Sequence, residues 1–180
     1  MTLSSTSIYV DSDNVIELDA LYDIIAAASE DDATVVASLF EYDSIAINAA
    51  VAVDKGAGKV GIPSTGHGLV SGDYIRVCHT QNYNGEYTVD ATVSTDEIVV
   101  TASYVAETFT ADAICFKGVP DATNITLAYV AASTGKYQGI FPETVLIVEG
   151  DEYYLFIEAD DAENNIALFR YKLTGAYLST

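Results

Sequence analysis

The chain has 180 residues, half of them hydrophobic and 11% aromatic, which is enough for one or two domains with buried cores. Seven basic and 27 acidic residues give a net charge of −20, and a field of this sign repels phosphate backbones and anionic membrane surfaces. The composition therefore argues against nucleic-acid binding and membrane association, and no apolar run is long enough to span a bilayer.

The residue types favour strands over helices. Thirteen Tyr, no Trp and three Pro occur together with many Val, Ile and Thr, so we expect an all-β chain. The charge is uneven, because residues 55–116 hold three basic and seven acidic residues while the rest holds four and 20. Such acidity suits solubility, a basic partner or divalent cations. The first seven residues have neither the basic start nor the apolar run of a signal peptide, so we expect assembly in a cytoplasm.

The N-terminal third predicts strands separated by acidic turns. Residues 7–10 and 15–18 have the pattern of strands on either side of a polar turn at residues 11–14. Residues 21–28 fit either a short helix or a strand end with a loop, and their poor capping favours the second. Residues 34–42 are apolar on both faces for much of their length, which predicts a central strand.

The central third predicts a module of its own. A glycine-rich stretch at residues 55–59 predicts a flexible hinge at its entry, and turn residues at 117–121 predict its exit. Because a domain inserted into a loop needs the ends of its host to lie close together, a β-sandwich is a suitable host.

Within this module the pattern is that of a small β-barrel or meander. The glycines of residues 66–73 predict a turn into a strand at 74–77. Asn84 and Gly85, the strongest hairpin dipeptide, predict a turn before a second strand at 87–89, and a third strand follows at 97–101.

The C-terminal third returns to short strands with turns between them. Residues 125–130 alternate in polarity, and residues 153–159 are the most strand-like segment of the chain. A polar loop at residues 160–165 joins that segment to residues 166–173, so we expect the two to pair as a hairpin. This spacing favours an immunoglobulin-like β-sandwich formed by residues 1–54 and 117–180, with a small β-barrel at 55–116 inserted in it.

Two motifs add a resemblance to known families. Residues 67–69, 71–73 and 84–89 resemble the small β-barrel repeat related to the first catalytic-cysteine half-domain of ubiquitin-activating enzymes, a repeat that recurs in tailed-bacteriophage virion proteins. Residues 135–142 and 148–154, with a Gly-x-Tyr-x-Gly strand before a Gly-x-x-Tyr strand, resemble small immunoglobulin-like virion proteins of tailed phages. The resemblance implies a structural module and not a ubiquitin enzyme.

The residues that could carry chemistry lack partners at the spacing that chemistry needs. His67 lies between two glycines and His79 at a strand end, with no carboxylate or Cys at a metal-ligand spacing. Cys78 and Cys115 could be neighbours, but the expected state is a pair of thiols and not a disulfide framework. The acidic clusters at residues 11–14 and 160–164 are expected to be solvated loops, with calcium binding as the alternative.

The tyrosines are the remaining candidates for a binding surface. Tyr74, Tyr83, Tyr87 and Tyr104 fall in the central module, and tyrosine is enriched at interfaces, although most of these rings are expected to pack the barrel. The candidate partner-binding loop consists of Gln81, Asn82, Tyr83 and Asn84.

From these observations we expect a non-enzymatic structural protein with no cofactor and no bound metal. The resemblance implies a virion component at the head-to-tail neck or tail of a tailed phage, assembled in the host cytoplasm and contacting other virion proteins in several symmetric copies. The alternatives are a capsid decoration protein, a carbohydrate-binding adhesin at the host-contact end that would lose glycan binding on Tyr83→Ala, and, least favoured, an enzyme that depends on His67.

Overall fold

A computed structural model describes residues 7–19, 21–23, 28–29, 31–161 and 166–177. Within these ranges the regular elements are fifteen β-strands, and none is a helix. The prediction of an all-β chain is confirmed. In chain order the strands are β1 (Ser7–Tyr9), β2 (Asn14–Leu18), β3 (Tyr22–Asp23), β4 (Ala28–Ser29), β5 (Thr34–Ala46), β6 (Val53–Gly56), β7 (Lys59–Pro63), β8 (Tyr74–Cys78), β9 (Gly85–Thr88), β10 (Glu97–Thr101), β11 (Ile114–Gly118), β12 (Ile125–Tyr129), β13 (Tyr137–Phe141), β14 (Glu152–Asp160) and β15 (Ile166–Ala176).

The chain divides into two compact units. The flanking unit consists of Met1–Leu39 and Val119–Thr180, and the central unit consists of Phe40–Gly118. Each unit has a hydrophobic core of its own, because the buried side chains form two separate clusters that follow the same division. Burial of apolar surface can therefore stabilise each unit by itself.

The flanking unit is a curled, sandwich-like sheet. In it β1 pairs in parallel with the end of β15, β15 pairs with β14 as the predicted hairpin, and β14 neighbours β5. The strand β12 then changes partners, since residues 125–127 pair with β5 and Ala128 and Tyr129 pair with β13, which in turn pairs with β2. The curl encloses the first cluster, which includes Leu18, Leu39 and Leu155.

The central unit is a small barrel made of two sheets. From Phe40 onward β5 pairs with β11, which continues to β8 and β9, while β10, β7 and β6 form the second sheet. The sheets meet on one side where Val89 bridges Val100. On the other side, Asn48 N donates to Pro63 O at 2.8 Å. Side chains such as Ile62 and Ile75 fill the space between them.

The predicted entry to the central unit is wrong in position and in kind. The unit begins at Phe40 and not at residue 55, because the second part of β5 already pairs with β11. The stretch at residues 55–59 is a tight hairpin between β6 and β7 and not a flexible hinge. Ala57 and Gly58 have φ of 51° and 72°, as a type I′ turn requires at both of its central positions.

The hairpin of β8 and β9 forms, but Gly85 is already paired with Val77, so the connection lies at residues 79–84 and not at Asn84-Gly85. In the ambiguous segment at residues 21–28, the strands β3 and β4 pair with each other, which fits the preference for strand, while residues 24–27 lie outside the described residues.

We predict that Gly175→Ala destabilises the flanking unit. A Cβ at Gly175 would overlap the carbonyl oxygen of Val148, a backbone atom that cannot move without shifting its segment. Overpacking of this kind costs about 1–3 kcal/mol of unfolding free energy. Thr174→Ala, at the exposed neighbouring position, is the control and should cost less than about 1 kcal/mol. Urea unfolding followed by circular dichroism measures both, and equal losses would contradict the prediction.

Candidate protein interface

The candidate loop is folded by its own side chains. Asn84 Oδ1 accepts from Thr80 N at 2.8 Å, and Asn84 Nδ2 donates to Thr80 O at 2.6 Å. Thr80 Oγ1 in turn accepts from Tyr83 N at 3.0 Å. Side chains of this kind replace the backbone pairing that a tight hairpin would supply, so the longer connection keeps a defined shape.

Tyr83 anchors this loop and is not one of its contact residues. Its side chain is buried, and its ring centre lies 5.9 Å from that of Phe109. The hydroxyl donates to Val105 O at 2.5 Å and accepts from Val105 N at 2.8 Å, so it replaces a strand neighbour for that residue. The expectation that Tyr83 presents its ring to a partner is therefore wrong, and the alternative that it packs the barrel is confirmed.

Glu107 is the second anchor of the loop at residues 79–84. Its carboxylate is buried, with Oε1 accepting from Gln81 N at 2.6 Å and Oε2 accepting from Asn82 N at 2.8 Å. A buried carboxylate is stable only where donors surround it, and here two backbone N–H groups do so. Glu107 could not be singled out from the sequence, because one acidic residue among 27 carries no local sign of burial.

The two anchored segments leave a set of exposed side chains, which we call the paired-loop face. It consists of Gln81, Asn82, Asn84, Tyr104 and Val105. Glu107 fixes the backbone of Gln81 and Asn82, and the Tyr83 hydroxyl fixes that of Val105. Amides, an aromatic ring and an aliphatic group suit contact with another protein, and this set includes no nucleophile and no base.

His67 is fully engaged in shaping its turn. The ring is buried, Nδ1 accepts from Leu69 N at 3.0 Å, and Nε2 lies 2.6 Å from Ser94 O. Because Nδ1 is an acceptor, the proton of the neutral ring is on Nε2, which donates to the carbonyl. Neither ring nitrogen is left to act as a base. His79 is exposed, with Nδ1 3.1 Å from Asp112 O.

The two cysteines occupy neighbouring strands but face opposite ways. Cys78 is paired with Ile114, and Cys115 is paired with Val77, so in this antiparallel pair the two thiols point to different sides of the sheet. They form no disulfide, and Cys115 is buried while Cys78 is half-buried. Burial, with a smaller contribution from Cys78, raises the pKa of Cys115 to about 12.

The acidic turn at residues 11–14 is held by hydrogen bonds within the protein. Asn14 is buried and accepts from Tyr9 N at 2.7 Å, while Asp13 accepts from Glu143 N at 2.9 Å. The second acidic cluster lies partly outside the described residues, since 162–165 are among those the structure does not describe. Within the described ranges, no three His, Cys, Asp or Glu side chains are grouped to hold a metal ion.

All seven basic side chains interact with other residues of the protein. Arg170 lies over the ring of Tyr154, with its guanidinium carbon 5.1 Å from the ring centre. The hydrogen bond from Lys59, supported by Thr92, lowers the pKa of Asp90 to about 2. The six basic side chains other than Arg170 form ion pairs: Lys55 with Glu97, Lys59 with Asp90, Arg76 with Glu86, Lys117 with Asp73, Lys136 with Glu17 and Asp19, and Lys172 with Glu152.

Comparison with known proteins finds no matching family model, no matching curated protein and no matching solved structure. Among the residues that the structure describes, none belongs to a helix long and apolar enough to cross a membrane. What the fold and the site define is therefore a class: an all-β chain of two units, one of which carries the anchored paired-loop face.

We predict that Glu107→Gln loosens the candidate loop. The amide replaces one carboxylate oxygen by a donor, so one of the N–H groups of Gln81 and Asn82 loses its acceptor, which costs about 1–3 kcal/mol of unfolding free energy. Amide hydrogen exchange at these two residues should accelerate by about tenfold or more. Asp112→Asn makes the same chemical change at an exposed carboxylate and should leave both quantities near the wild-type values. Unchanged exchange in Glu107→Gln would contradict the anchoring role.

We also predict that the two thiols differ in reactivity in the native protein. At pH 8 a disulfide reagent should modify Cys78 and spare Cys115, since attack requires a thiolate and Cys115 has a pKa of about 12. Both thiols should react in denaturant, and Cys78→Ser should remove the native reaction. Modification of Cys115 in the native protein at the rate of Cys78 would contradict the burial of the Cys115 thiol.

Proposed function

We propose that this chain is a non-enzymatic structural component of a tailed-phage particle, located at the head-to-tail neck or tail, and that it acts through protein–protein contacts. The resemblance of residues 67–69, 71–73 and 84–89, and of residues 135–142 and 148–154, to virion modules supports a place in the particle. The proposed partners are other virion proteins in symmetric copies.

One observation carries the non-enzymatic part of this proposal. The polar side chains best suited to chemistry in the central unit are used to hold backbone groups: His67 bonds Leu69 N and Ser94 O, and Glu107 bonds the N–H groups of Gln81 and Asn82. The same bonds fix the turns and loops of the barrel. A rigid surface with amides and an exposed tyrosine remains, and such a surface favours association with a protein.

The structure argues against the adhesin alternative and does not separate the decoration alternative from the proposal. A glycan adhesin that relies on Tyr83 is not supported, because that ring is buried against Phe109 and has no face for a sugar. A capsid decoration protein would use the same fold and differs only in copy number per particle.

The first test is composition of the particle. Purified particles of the phage that encodes the chain should contain it, with a small and fixed copy number by quantitative mass spectrometry. Copy numbers matching the capsid lattice would instead favour decoration, and absence from the particle fraction would contradict the proposal.

The double variant Tyr104→Ala, Val105→Ser should be incorporated less than wild type, whereas Val70→Ser, at another exposed aliphatic position of the central unit, should be incorporated normally.

A further inference from the structure

The segment between β13 and β14 displays two aliphatic side chains to solvent. Val145 and Ile147 are buried in the core of the flanking unit, while Leu146 and Val148, which alternate with them, are 77% and 54% exposed. Leu146 is more exposed than any other large hydrophobic residue that the structure describes. We call Leu146 and Val148 the aliphatic ridge.

The backbone under the ridge is fixed, so the exposure is not that of a loose loop. Val148 N donates to the Tyr153 hydroxyl at 2.9 Å, and Gly150 N donates to Gly175 O at 2.9 Å. The Val148 carbonyl occupies the space that a side chain at residue 175 would need, which is why glycine stands there. An apolar group held in this way loses little conformational entropy when a partner covers it.

Three carboxylates lie next to the ridge in the sequence, and no basic side chain balances them. Glu143, Glu149 and Asp151 are exposed, and within the described residues none of them forms an ion pair. Lys172, on the strand that pairs with β14, is engaged by Glu152 at 2.7 Å. All seven Lys and Arg side chains are engaged by other residues, so none of them is paired with these three carboxylates.

We propose that the aliphatic ridge is the docking site of a basic protein partner, one that receives Leu146 and Val148 in an apolar pocket edged by Lys or Arg side chains. The apolar pair supplies burial, and the carboxylates select the sign of the partner. A second copy of the chain does not meet this requirement, because it carries the same net charge of −20. The inference deepens the proposed function, since it names a contact surface for the structural role.

The chain offers a matched control pair. Val15 and Ile140 lie directly opposite each other on β2 and β13, with exposures of 51% and 52%, similar to that of Val148. The neighbouring carboxylate there, Glu17, is neutralised by Lys136 at 2.8 Å. Asp13, on the other side of Val15, forms no ion pair among the described residues, so the control presents a similar aliphatic pair beside one neutralised and one unbalanced carboxylate.

The probe is a short synthetic peptide of alternating lysine and leucine, titrated into the full-length protein labelled with ¹⁵N. The amides of residues 143–151 should shift first, and calorimetry should give binding that weakens as ionic strength rises. Leu146→Ser, Val148→Ser should bind about tenfold more weakly, and Val15→Ser, Ile140→Ser should bind as wild type does. Shifts spread evenly over the surface, or equal affinity of the ridge variant and wild type, would overturn the proposal.

Two further readings separate this proposal from others. A dimer of the wild type in sedimentation that Leu146→Ser, Val148→Ser abolishes would assign the ridge to self-association and overturn the basic-partner proposal. Whether the wild-type protein is present in particles tests the proposed function, independently of the ridge variant. If the wild type is present and the ridge variant is incorporated at the wild-type level, the ridge proposal fails while the proposed function stands. If the wild type is absent, the proposed function fails and the peptide titration still decides the ridge.

Discussion

The structure depends on how the flanking unit closes where the central unit leaves it. Val119 N donates to Leu39 O at 2.9 Å, and Leu39 N donates to Ala122 O at 2.8 Å, so the last residue before the central unit and the first residues after it are joined by backbone hydrogen bonds. Leu39 is also part of the flanking core. The entropy of closing a loop rises only slowly with its length, about 0.6 kcal/mol for each doubling. A host closed in this way can therefore carry an inserted unit of this size.

The use of the basic residues decides the electrostatic character of the surface. Exposed ion pairs contribute only about 0–1 kcal/mol each, so the pairs formed by the five lysines add little to the stability of the fold. The engagement of the basic side chains has another effect, because each one is held beside a carboxylate or a ring and the remaining acidic groups dominate what a partner meets. Of the roles that composition left open, docking on a basic partner is the one that an exposed apolar ridge makes specific.

The strands could be predicted from the sequence because their signals are local. Residues 34–42, 153–159 and 166–173 have β-branched and aromatic runs that tertiary contacts did not override, and the last two pair as expected. The hinge at residues 55–59 could not be told from a tight turn, because both need glycine. What distinguishes them is the pairing of Gly56 with Lys59, a contact set by the strands on either side.

The candidate site was less predictable because long-range contacts fix it. The dipeptide Asn84-Gly85 favours a tight turn by itself, yet Glu107, distant in sequence, binds the backbone of residues 81 and 82 and stabilises the longer connection. Burial of Tyr83 depends in the same way on Val105 and Phe109. No local pattern reports such partners, so the sequence predicts a connection near Asn84 but not which groups its side chains hold.

The anchoring that made the site hard to predict also makes the two surfaces suitable for assembly. An interface must offset the entropy lost when side chains and loops become ordered on binding. Under the paired-loop face this ordering is already supplied by Tyr83 and Glu107, and under the aliphatic ridge by the bonds to Tyr153 and Gly175. Unbalanced carboxylates beside the ridge would raise the rate of encounter with a basic partner more than the final affinity. Fast encounter and a preordered contact would serve the structural role proposed above.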